Sequence, residues 1–244
     1  MMNPTTNEPP HALAHTNDAV THNQTKMSAH VYQRRSNRAD RISSELIQHP
    51  LRHKEDFPGQ LCLARLEKAH IISNLDKSTF YPMRFNDTSS TRAHVARDIV
   101  PFGAIASAWL AAWIWLGGQF PTSIDITSTN HYHNILFGRN VRSTSRQIHS
   151  SCLAQFPHLL VTSPQRTACD IACSDIRRAN PIIIEHTIHR LALSYAFAEH
   201  DCMEIMRHNT RQPRYTCGVN LLIHAFATLE DNIEQCEALC SNES

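Results

Sequence analysis

Apolar positions along this chain come in short runs that alternate between helical and strand spacing. Residues 1–29 are rich in Asn, Thr, His and Pro with little to bury, and read as a disordered leader. From Arg34 to about Gln48 an Arg-rich helix is expected, with Ile42, Leu46 and Ile47 on one side. In LCLARLEKAHII, Cys62, Leu66 and Ala69 share a face at i, i+4 and i+7, and Leu61, Arg65 and Lys68 define a neighbouring, partly basic one. IISNLDKSTFYPM then reads as strand, turn, strand: the polar tip at 74–77 turns, and Thr79, Phe80 and Tyr81 favour extended backbone. Helix, helix and a hairpin with a lysine near its tip outline a winged helix-turn-helix, which places a helix in the DNA major groove and lets the hairpin touch phosphate. The same spacing also fits an ordinary small α+β unit with a solvated basic face.

Further along, a helix is expected over 92–98. No charge appears between Asp98 and Asp125, and IVPFGAIASAWLAAWIWLGG has the length of a membrane span at about 99–118. Pro101, Gly103 and the Gly117-Gly118 pair shorten its helical part to Ala104–Leu116, about 18 Å against a hydrocarbon core of about 30 Å, which favours a buried globular helix. Strands are expected at Ser123–Thr127, where Ile124 and Ile126 alternate with Asp125 and Thr127, and at Asn134–Phe137 and His158–Val161. VTSPQRTACDIAC is the clearest local signal. Ser163 is a natural N-cap, Pro164 sits at N1, and Cys169, Ala172, Cys173 and Ile176 form an apolar face. Arg166 and Asp170, at i and i+4, are expected as a surface ion pair. Asn180-Pro181 opens a helix striped by Ile184, Ile188, Leu191 and Tyr195, and two shorter helices near 201–208 and 218–230 precede an acidic tail.

The fold class expected is α+β: a leader (1–29), a winged-helix-like domain (30–90), a mixed α/β domain running into a helical C-terminal region (91–230), and the tail (231–244). At 244 residues, 41% hydrophobic and 18% charged, the chain can bury a core. Its net charge of +1 is uneven: residues 30–100 carry 12 Lys/Arg against 8 Asp/Glu, whereas 181–244 carry 4 against 9. A basic front and an acidic back suit a polyanion on one side and another partner on the other. Without a secretory h-region in the first 29 residues, a cytoplasmic location with reduced thiols is expected. The eight cysteines form no CxxC and His186 and His189 no HExxH, so core thiols are expected rather than a metal centre, and no cofactor.

Three blocks resemble the AbiEi-like antitoxin family of abortive-infection, type IV toxin–antitoxin systems. GAIASAWLAAWIWLGGQFPTSIDIT is similar to that family's helix-then-strand block, VTSPQRTACDIAC to its S-P-x-R-T-x-x-D block, and RLEKAHIISNLDKSTFYPM to the end of its N-terminal winged helix. The similarity runs from roughly residue 38 to residue 225. His70 and Ser78 stand where the family carries glycine beside the wing. Many relatives append a restriction-endonuclease-like domain; the 26 residues after Gly218 are too few for one, so a regulator without it is expected.

The resemblance implies a DNA-binding transcriptional regulator that docks its winged helix on operator duplex, represses its own operon and counteracts a partner toxin, in this family typically nucleotidyltransferase-like. Arg34, Arg35, Arg38, Arg41, Lys68 and Lys77 would contact phosphate, and Gln60 and Arg65 would read the groove. Two alternatives stand beside it. One is a degenerate or orphan nuclease-related protein using Asp125, Asp170 and Glu185 around a metal. The other is a single-pass membrane protein spanning about 99–118.

Overall fold

A computed structural model describes the backbone of residues 49–130, 132, 135–174 and 180–242, and the side chains of all of these but 232 and 234–242. The leader, the expected helix ending near Gln48 with Arg34, Arg35, Arg38 and Arg41, and Ile176 lie outside the described residues. The first described helix, α1 (Gln60–Lys68), begins at Gly59, whose φ of +141° is open to glycine and strained for other residues. It ends where His70 turns left-handed at φ +52°. The hairpin follows at once: β2 (Ile72–Asn74) pairs antiparallel with β3 (Thr79–Pro82), whose other edge carries β1 (Arg52–His53). Leu63 of α1 is buried against Ile72 and Phe80, with Phe57 and Leu66 at the border. The buried face of α1 therefore centres on Leu63, not on the expected Cys62–Leu66–Ala69 stripe, and Ala69 is exposed.

The larger sheet has the order β6-β7-β5-β4-β9-β8. β4 (Ile105–Ala106) runs antiparallel to β5 (Ser123–Thr127) and parallel to β9 (Leu159–Thr162), and β5 runs parallel to β7 (Arg139–Thr144). Two hairpins close the edges: β6 (Ile135–Leu136) with β7, and β8 (Leu153–Phe156) with β9. Phe137 and Gly138, between β6 and β7, both have positive φ, as the commonest two-residue hairpin turn requires. Asp125 and Thr127 are buried along with Ile124 and Ile126, because β5 is an interior strand covered on both faces.

Helix α2 (Ser89–Arg97) leads into the uncharged run. That run is no single helix: it makes a turn at Pro101–Gly103, then β4, then the nine-residue α3 (Ala108–Leu116). Among the described residues no helix is long and apolar enough to cross a membrane. α3 is apolar all round because it lies between two cores. Leu110, Ala111, Trp113 and Ile114 join Val95, Ile124, Ile126 and Val161 in one. Ala112, with Trp109, Trp115 and Leu116 beside it, joins the other. The second core is made by α4 (Pro164–Ala172), α5 (Pro181–Tyr195), α6 (Glu199–Arg207) and α7 (Tyr215–Asn242). The last of these is one long helix, which continues through most of the segment expected as a tail.

The carbonyls at the C-terminal end of α3 have no intrahelical partners and would be costly to bury bare. Arg92 of α2, itself buried, supplies them: Nε donates to the Ile114 carbonyl at 2.8 Å, Nη2 to that of Trp115 at 2.9 Å, and Nη1 to that of Asn86. Tyr195 Oη also donates to the Trp115 carbonyl, at 2.9 Å.

Candidate nucleic-acid interface

α1 spends Leu63 and Leu66 on the hairpin and leaves Gln60, Leu61, Ala64, Arg65 and Lys68 in solvent, with Leu61 81% exposed. Lys77, at the hairpin turn, is exposed too. A shallow groove of about 210 Å³ separates helix and hairpin, bordered by Gln60, Ala64, Glu67, Lys54, Asp76 and Lys77. The structure thus brings Gln60 and Lys77 to one groove, while Arg65 and Lys68 stand outside it on the helix. Asp76 shapes the turn: Oδ1 accepts the N–H groups of Ser78 at 2.7 Å and Thr79 at 2.6 Å. Burial alone would raise its pKa, but these hydrogen bonds outweigh it and hold the carboxyl below its ordinary range.

The tip is less polar than its sequence suggests. Leu75 is fully buried and belongs to the core of the larger sheet. Arg139, at the start of β7, donates through Nη1 to the Leu75 carbonyl and through Nε to that of Pro121 at 2.8 Å, and lies over the Phe120 ring. The hairpin is therefore anchored at its tip while Lys77 points outward.

The S-P-x-R-T-x-x-D block joins β9 to α4. Ser163 Oγ accepts the N–H of Arg166 at 3.3 Å, and Pro164 takes the first helical position, as expected. Thr167 Oγ1 donates to the Thr162 carbonyl at 3.1 Å, which also receives Trp115 Nε1 at 2.8 Å. The ion pair of Arg166 and Asp170 is not on the surface. Arg166 is 2% exposed and its Nε meets Asp170 Oδ1 at 3.0 Å, because α4 is packed among α3, α5, α6 and α7. Burial pushes the Asp170 pKa up against the attraction of Arg166. Cys169 and Cys173 are buried thiols of the same helix, and burial pushes Cys173 up to about 12.

Asp125 is also buried. It accepts hydrogen bonds from Ser123 Oγ at 3.2 Å and from the Trp109 N–H in the first turn of α3, where Ser107 makes no side-chain cap. Arg142 Nη1 lies 3.7 Å away, and burial still raises the carboxyl. Glu185 accepts from Thr228 Oγ1 at 2.7 Å on the far helices. The three carboxylates singled out for a nuclease thus belong to different elements, and among the described residues no three His, Cys, Asp or Glu side chains cluster as a metal site.

Sequence reasoning missed the structural work of Arg92 and Arg139, whose partners are backbone carbonyls distant in the chain and carry no motif. Compared with known protein families and with curated proteins, the chain finds no match.

Proposed function

We propose that the chain is a DNA-binding regulator of antitoxin type, in which α1 and the β2–β3 hairpin are the reading half of a winged helix-turn-helix. The observation that carries the reading is the outward face of α1: Leu61, Ala64, Arg65 and Lys68 stay in solvent while the opposite face packs on the hairpin. A face of this make-up suits the major groove, where Arg pairs with guanine and an apolar side chain meets the thymine methyl. Lys77 would meet phosphate from the hairpin. His70 supports the family resemblance, since it adopts the left-handed backbone that favours glycine where the family carries glycine.

The test is an anisotropy titration of the full chain with the duplex immediately upstream of its own reading frame. Wild type should bind with a steep salt dependence, Lys77→Ala should lower the slope of log K against log salt by about one, and Leu61→Glu should abolish binding without loss of stability. A salt slope unchanged by Lys77→Ala, or full affinity in Leu61→Glu, removes the reading. The toxin-binding part is supported by Ile182, Ile183 and Leu193 of α5, large apolar side chains in solvent of the kind a protein partner covers. Ile183→Glu should prevent capture of a nucleotidyltransferase-like protein encoded beside this chain and leave DNA binding intact.

A further inference from the structure

A cleft of about 1120 Å³ opens beside the N-terminus of α4, between the segment at 146–152 and α6, well apart in sequence from α1 and the hairpin. Arg166 reaches it from beneath. Nearly all of this side chain is buried; among the described residues only its Nε makes a hydrogen bond, to Asp170, and neither Nη group has one. The four N–H donors of its two Nη groups therefore keep access to the cleft, where an acceptor would satisfy them. Arg146, on the cleft wall, makes no side-chain hydrogen bond among the described residues, and its charge acts on Asp170.

Two further features sit at the same end. Among the described residues nothing accepts from the N–H of Gln165 in the first turn of α4, where Pro164 has no N–H and Ser163 Oγ takes that of Arg166. His149 and His208 line the cleft as well. Of the residues lining the cleft, the acidic ones are on α6, and Asp170 lies beside Arg166. Asp201 is engaged at the start of its own helix, accepting the Ala198 N–H at 2.9 Å, and Glu204 is exposed.

We propose that this cleft binds a small ligand through an oxyanion head, phosphate or carboxylate, seated on the Nη groups of Arg166, the Gln165 N–H and Arg146. Two arginine forks and a helix N-terminus match the several acceptor oxygens of such a head. Glu204, on the other wall, suits a hydroxyl or amine donor on the rest of the ligand. The site is independent of the DNA reading and does not use the residues of α1.

The experiment is calorimetric and amide-NMR titration of the full chain with inorganic phosphate and, separately, with succinate. At least one anion should saturate and shift the amides of Gln165 and Arg166, and the tighter of the two identifies the head. Arg146→Ala should weaken that binding by about tenfold. Arg166→Lys, which keeps a cation beside Asp170 but loses the fork, should weaken it similarly. The double variant Arg65→Ala/Lys77→Ala should leave it unchanged even if DNA binding is lost. Saturation by neither anion, shifts confined to α1 and the hairpin, or wild-type affinity in Arg146→Ala overturns the proposal.

Discussion

Gly117 lies against the guanidinium of Arg92 so closely that a Cβ on it would stand 3.1 Å from Nη1. Its φ of +74° is itself open only to glycine at the accompanying ψ of −151°. Gly117→Ala should therefore cost about 2–3 kcal/mol, from backbone strain and from displacing the arginine. Arg92→Met, which leaves buried carbonyls short of donors, should cost about 3 kcal/mol. Urea denaturation with an unchanged m-value checks both, and stability within about 0.5 kcal/mol of wild type in either variant would contradict the arrangement.

Gly218 marks a second close approach. A Cβ there would come within 2.4 Å of Cys173 Sγ, so α7 can pass over the end of α4 only without a side chain. Gly218→Ala should destabilise by about 1–3 kcal/mol. Cys173→Ala removes the obstructing sulfur, so the double variant should recover much of that loss. Strict additivity in the double-mutant cycle would show that the two do not meet.

His70 holds a left-handed backbone at φ +52° at the end of α1. That conformation costs an L-residue about 1–2 kcal/mol, of which the greater unfolded freedom of glycine takes back roughly 0.5–1. His70→Gly should thus gain about 0.5–1 kcal/mol, seen as a higher thermal midpoint. A lower midpoint would mean that the imidazole supplies something the backbone argument leaves out.

Asp125 and Asp76 should respond to acid in opposite directions. Burial raises Asp125 in the fold above its ordinary 3.8, so its contribution is most favourable below 3.8 and declines as pH rises through the folded value. Wild type should accordingly gain on Asp125→Asn as pH falls from neutrality towards 3.8. Asp76 is lowered, because hydrogen bonds from Ser78 and Thr79 outweigh its burial. Its advantage over Asp76→Asn should be full above 3.8 and disappear as pH falls through the folded value. Chemical denaturation across the acid range measures both differences, and parallel curves for either pair would refute its sign.

The elements legible in the sequence were those with a local signature. Ser163-Pro164 and Asn180-Pro181 do start helices, Ile184, Ile188 and Leu191 do face a core, and the turn at 74–77 does join two strands. Strand β5 has the bounds expected of it. The two-residue strands β1 and β4 are too short for periodicity to register, and β7 shows only Val141 as a buried apolar residue. The strand expected from His158 starts one residue later, since His158 has φ +63° in the turn. For the arginine and aspartate of α4, spacing gives a pair but not the depth at which it lies. For α1, the exposed basic face could be read from Leu61, Arg65 and Lys68, whereas the anchoring of Leu75 depends on a sheet that follows much later in the chain.

The position of α3 bears on how the protein comes apart. Its two sides belong to different apolar clusters, one built on the sheet and one on the C-terminal helices. Neither cluster can melt without stripping a wall from the other, so heating should give one calorimetric peak rather than two, and amide exchange should be slowest along this central rod.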